Sequence, residues 1–100
     1  MSQLIELFPD IDPVTEYYLM ETISCLQHYL HMDENQAFQT IASAKQFKEL
    51  VAKSPYDIQR ETGYYWAMYL VYGPTWWKNQ SLVEQHVEYI KTRHDPPVDK

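Results

Sequence analysis

Helix punctuation recurs along this chain and constrains its fold more than any other feature. Asp12-Pro13 places a carboxylate that can cap free helix N–H groups directly before a proline, whose missing N–H costs nothing in a first helical turn. Asp33-Glu-Asn-Gln36 reads as a capping box, with Asp33 accepting from the new helix and Gln36 reaching back. Ser54-Pro55-Tyr56-Asp57 combines a cap, a proline and an acidic third residue. Gly73-Pro74 is a stop, glycine for the left-handed turn and proline to forbid continuation. The chain has only 2 glycines, too few for the hairpin turns of an all-β protein. These marks predict an all-α fold, a compact bundle of four to five helices.

Between the marks, apolar residues keep helical spacing. Leu19, Ile23, Leu26 and Leu30 define an amphipathic helix ending near Met32. The next helix opens its apolar face with Ala37, Phe38, Ile41 and Ala42. Phe47, Leu50 and Val51 then form a stripe out of phase with it. Either the helix kinks near Ser43, or a short helix ends there and Ser43 caps another. The last helix starts after Thr75 or after Ser81, since Ser81-Leu-Val-Glu84 is itself a capping box. With the early start, Trp76, Val83, Val87 and Ile90 share a face. One helical domain is expected over residues 1–100, with residues 1–11 and 93–100 as irregular or frayed ends.

A chain of 100 residues supports one core that buries about two-thirds of the surface exposed when unfolded. Its net charge of −6 and 8 basic residues argue against a phosphate-binding surface, so no nucleic-acid partner is expected. Lys45, Lys48 and Lys53 come nearest to a basic cluster and read as one solvated helix face. The single cysteine, Cys25, excludes an intrachain disulfide and fits a reducing, cytoplasmic setting. No charged start precedes an apolar run as in a secretory signal.

The stretch GYYWAMYLVYGPTWW, residues 63–77, is the chain's most distinctive segment. Its longest apolar run, Tyr64–Tyr72, covers 9 of the chain's 100 residues, against the roughly twenty a membrane-crossing helix needs. No membrane partner is expected. A strand here would lack a partner strand and leave backbone groups unpaired, so the run reads as a helix. That helix is apolar on every side, which demands either enclosure by neighbours or a face turned to another molecule. The Ala67–Val71 side is narrow enough for close packing. The Tyr65–Trp66–Tyr69–Tyr72 side is bulky, with hydroxyls that tolerate a wet edge. Trp76 and Trp77 point about 100° apart on a helix and cannot easily both face inward. Tyr65, Trp66, Tyr69, Tyr72, Trp76 and Trp77 are therefore the expected interface, with core as the competing role for each. Gly63 either ends a short first turn or lets a neighbouring backbone come close.

Elsewhere the chemistry is sparse. His28 and His31 lie close enough in sequence to share a metal ion, but two ligands without a third do not make a site. His86 sits between Glu84 and Glu88 at a spacing that points away from both, and reads as part of a solvated face. Cys25 reads as a buried structural thiol, with no neighbouring cation in sequence to activate it. None of the nucleophile, phosphate-loop, dinucleotide or paired-Cys zinc motifs occurs. No catalytic residue, metal or cofactor is assigned. The expectation is a non-enzymatic module that contacts a protein partner or a second copy of itself as a homodimer. Its rivals are a small-molecule binder with an aromatic pocket between helices, and an enzyme or metal protein built on His28 and His31.

The segment LQHYLHMDENQAFQTIASAKQFKELVAKSPYDIQRETGYYWAMYLV, under half of the chain, resembles small helical proteins of unknown function common in Gram-positive bacteria. The similarity lies in a Leu-rich first helix (Leu26, Leu30), a helix start at Met32 leading to Ala37-Phe38, the pair Phe47 and Leu50, and a Tyr-containing helix at Tyr65 after a short charged lead-in. The resemblance implies a bacterial helical protein and no activity. Trp76-Trp77 has no counterpart in it.

Overall fold

The computed structural model describes residues 3–93, and over that span the chain is all-α. Helix α1 spans Gln3–Leu7, α2 Pro13–Leu30, α3 Glu34–Ala42, α4 Lys45–Lys53, α5 Pro55–Ile58 and α6 Gly63–Tyr72; a 3-10 turn at Trp76–Lys78 leads into α7, Gln80–Thr92. Five of these helices have nine residues or more, which is the expected bundle with two short helices added. The long α2 and the aromatic α6 form its principal helix pair. No helix among the described residues is long and apolar enough to cross a membrane.

The punctuation works locally as its chemistry dictates. Asp12 accepts from the Thr15 amide at 3.0 Å and the Thr15 hydroxyl at 2.6 Å. Partial burial works against the Asp12 charge, but these bonds together hold its carboxyl below the usual range. The capping box is complete, Gln36 N donating to Asp33 Oδ1 at 2.7 Å and Asp33 N to Gln36 Oε1 at 3.0 Å. Gly73 ends α6 with φ +94°, a backbone conformation that other residues reach only under strain.

Several expectations are corrected. The phase slip is a break into two helices, and Ser43 does not cap the second. Its hydroxyl donates back to Gln39 O at 2.8 Å at the end of α3, while Ala44, with no capping side chain, precedes α4. The last helix starts at neither expected place. Asn79 accepts from the Leu82 amide at 3.3 Å, which puts Ser81 inside the first turn, while Thr75 precedes only the 3-10 turn. Residues 3–7 are not an irregular end but form α1, and Leu4 and Phe8 are buried, while residues 8–12 link it to α2 without helix. Leu4 and Phe8 join the buried cluster of Leu19, Ile41 and Phe47, so burial of two large side chains holds a segment with no strong start signal of its own. Residue 93 belongs to the fold as well, through an ion pair described below; the rest of the expected C-terminal fraying lies outside the described residues, as do residues 1–2.

The core has two apolar clusters, and α6 straddles both. Leu4, Leu19, Ile41, Phe47, Ile58 and Trp66 fill the first. Cys25, Leu26, Ala37, Tyr64, Met68 and Trp76 fill the second. Trp66 and Tyr64 lean to opposite sides of α6, so the buried part of this apolar helix serves both clusters.

Candidate functional site

Along α6, burial changes with distance along the axis more than with face. Tyr64, Trp66, Ala67 and Met68 are buried, Tyr65, Tyr69 and Leu70 are half-buried, and Val71 and Tyr72 are exposed at the C-terminal end. Two of the six expected interface residues are thereby placed in the chain's own core. Trp66 stacks at a tilt on Phe47 and donates its indole N–H to Ile58 O at 2.9 Å. Trp76 is 4% exposed, edge-on to Tyr64 and Tyr65, whereas its neighbour Trp77 is 54% exposed. The adjacent tryptophans do diverge, one inward and one outward. Val71, on the side expected to pack, is exposed.

The most elaborate polar constellation joins α2, α6 and the end of α7. Glu21, on α2, accepts the Gly63 amide at 3.0 Å, Arg93 Nε at 2.6 Å, Arg93 Nη2 at 3.1 Å and the Tyr89 hydroxyl. Both charged side chains are nearly enclosed, at 8% exposure for Glu21 and 14% for Arg93. The Glu21 bonds push the Arg93 guanidinium further up despite its burial, and burial together with Glu21 pushes the Tyr89 phenol up. Arg93, Tyr89 and the Gly63 amide all donate to Glu21, so the constellation clamps three elements together.

Gly63 explains why the helices meet there. A Cβ on Gly63 would lie 2.7 Å from the Glu21 backbone carbonyl carbon and 2.4 Å from its Cγ. The second alternative left by the sequence, close approach of a neighbouring backbone, is the one realised.

Against the clamp lies a ring of aromatic groups. Tyr64, fully buried, stacks on His86 with centroids 4.9 Å apart and planes 9° apart, and meets Tyr29 edge-on at 5.2 Å. Its hydroxyl lies 2.9 Å from Leu82 O and 2.7 Å from Gln85 Oε1, and burial pushes its pKa up to about 12. His86 Nε2 sits 2.8 Å from Thr62 Oγ1, the oxygen that also caps α6 by accepting from the Tyr65 amide. The expectation that His86 belongs to a solvated face is thus corrected: it docks α7. Sequence spacing missed it because the neighbouring acids Glu84 and Glu88 face elsewhere, while Thr62 and Tyr64 arrive from another helix.

Burial lowers the His86 pKa, Arg93 lowers it further and Glu21 opposes both. A histidine that resists protonation when folded contributes stability above its ordinary value of 6.5, and that contribution declines as pH falls below 6.5 toward the folded value. Wild type is therefore expected to lose thermal stability between about pH 7 and pH 5, and His86→Gln to show a flatter profile there. Scanning calorimetry at several pH values checks this.

A groove of about 570 Å³ opens between α2 and the end of α7, lined by Tyr17, Met20, Cys25, His28, Tyr29 and Tyr89 with the clamp at its side. Cys25 is buried, and burial pushes its thiol to about 12. The fold does bring a cation near it, Arg93, which sequence proximity could not reveal, yet burial outweighs its pull and Glu21 counters it. His28 borders the groove, while His31 has left the helix for a left-handed conformation at the C-cap (φ 58°), so their helical spacing no longer aligns the rings. No group of three or more metal-type ligands comes together among the described residues. Comparison with family models, curated proteins and solved structures returns no match.

Proposed function

We propose that this chain is a protein–protein interaction module that associates with a second copy of itself through apolar surface on its α6–α7 half. One observation carries the reading. Of the seven exposed large hydrophobic residues among those described, five (Val71, Tyr72, Trp77, Val87 and Ile90) fall within residues 71–90. Single exposed apolar residues need no explanation, but such a concentration in one fifth of a chain favours a contact surface. Tyr72 and Trp77 have the amphipathic bulk that dominates interface energetics. The expected aromatic interface is thereby narrowed to its exposed members, with Tyr65 and Tyr69 half-buried behind them.

The test separates surface from core. Trp77→Gln with Tyr72→Gln is expected to lower the associated mass measured by light scattering and to leave the melting temperature within about 4 °C, the effect of roughly 1 kcal/mol in a domain of this size. Trp76→Ala is expected to cost about 3–5 kcal/mol in fold stability. If the double variant unfolds, its residues belong to the core and the reading fails.

A second reading, a small-molecule binder, is favoured by the α2–α7 groove, whose volume of about 570 Å³ falls within the roughly 300–1,000 Å³ of ligand clefts. Native mass spectrometry of the purified chain, looking for a copurifying mass, tests it.

A further inference from the structure

We propose that two copies pair through α7, antiparallel, about a two-fold axis at Val87. The inference rests on the self-association reading above and specifies its geometry.

α7 is the one long helix with no fully buried residue, and it lies at the margin of the bundle, packed on α6 and the 3-10 turn. Taking Val83 as zero and about 100° per residue, Leu82, His86, Tyr89 and Arg93 occupy the inward arc, roughly −60° to −120°. These residues dock α7, together with the half-buried Val83 at the edge of the arc. Ile90 at about −20°, Val83 at zero and Val87 at about +40° form a second apolar stripe beside that arc. Val87 and Ile90 are 48% and 50% exposed. Their spacing of four and three is that of a helix–helix seam.

Charge selects the occupant. Glu84 at about +100° and Lys91 at about +80° lie on the same flank of the stripe, and both are exposed. In a two-fold antiparallel pair, equal flanks face each other. A crossing at Val87 sets position 84 opposite position 90, so Glu84 of each copy comes within one residue's rise of Lys91 on the other. A parallel pair would set each flank against the opposite flank of the other helix, leaving Glu84 and Lys91 without each other as partners. The stripe is complementary to itself in one orientation, which is the requirement of a closed homodimer. Among the described residues Lys91 pairs with the exposed Glu88 at 3.0 Å, a contact weak enough to exchange. The stripe from Val83 to Ile90 is about 10 Å long, which places the seam among small, reversible interfaces.

Cysteine cross-linking and charge reversal test the geometry. In a glutathione redox buffer, Val87→Cys is expected to form a disulfide dimer. Ile90→Cys is not, because its two copies are offset along the seam by about 9 Å, beyond disulfide reach. The unsubstituted chain, whose Cys25 is buried, is the background. Glu84→Lys or Lys91→Glu alone is expected to weaken association about tenfold, since each converts two pairs to like charges. The double reversal is expected to return within about threefold of wild type. All these positions are exposed, and unchanged circular dichroism verifies the fold. Equal cross-linking at 87 and 90, or charge reversals without effect, in a chain whose mass still rises with concentration would overturn the α7 seam and leave self-association to the Tyr72–Trp77 surface. A mass that never rises would overturn both.

Discussion

Gly63→Ala is expected to destabilise the fold by about 2–3 kcal/mol, although alanine is the better helix former by about 1 kcal/mol. The two effects oppose each other, and geometry decides. An added methyl would sit 2.7 Å from the Glu21 backbone carbonyl carbon. Backbone cannot swing aside as a side chain can, so α2 and α6 must separate along the contact that organises both core clusters. The Gly63 amide would also be drawn away from Glu21 Oε1, now 3.0 Å distant. For a domain of this size the loss corresponds to a fall in melting temperature on the order of 10–20 °C. Thermal denaturation followed by circular dichroism reads it directly. A Gly63→Ala protein as stable as wild type would mean that the helices do not approach as closely as described.

Glu21→Ala is expected to cost more, about 3–5 kcal/mol, because it strands its partners. Arg93 would keep its charge with little access to water, and the Gly63 amide and Tyr89 hydroxyl would lose their common acceptor. The physical distinction is between removing one partner and removing both. Glu21→Met combined with Arg93→Met leaves no orphaned charge, so the double variant is expected to be more stable than Glu21→Ala alone. Urea titrations of the singles and the double measure the coupling. Additive losses would show that the two side chains do not act as a unit.

These two predictions rest on the part of the molecule that the sequence does not disclose. Helix starts and stops could be read because caps are local: Asp12, Asp33 and Gly73 act on residues at most four positions away. The all-α class follows from them. Ser81-Leu-Val-Glu84 matches the capping-box pattern, yet α7 is capped two residues earlier by Asn79, whose side chain accepts from the Leu82 amide. α1 has no strong start signal and is held by Leu4 and Phe8, a tertiary cause invisible to local reading. The clamp joins Glu21 to residues 42, 68 and 72 positions further along, so no spacing pattern could announce it.

The aromatic segment was legible in a different way. Its composition required enclosure or contact, and the divergence of Trp76 from Trp77 followed from helical geometry. Helical phase alone treats a face as alike along its whole length, which puts Trp66 on the outer side and Val71 on the packing side. The structure reverses both: Trp66 is buried against Phe47, and exposure rises toward the C-terminal end of α6.

Sedimentation equilibrium of the unmodified chain, over loading concentrations from roughly 1 µM to 1 mM, tests the central claim most directly. The account predicts a weight-average mass that climbs from the 12.0 kDa of one chain toward twice that value and stops there. A mass that stays at 12.0 kDa across the whole range would contradict it.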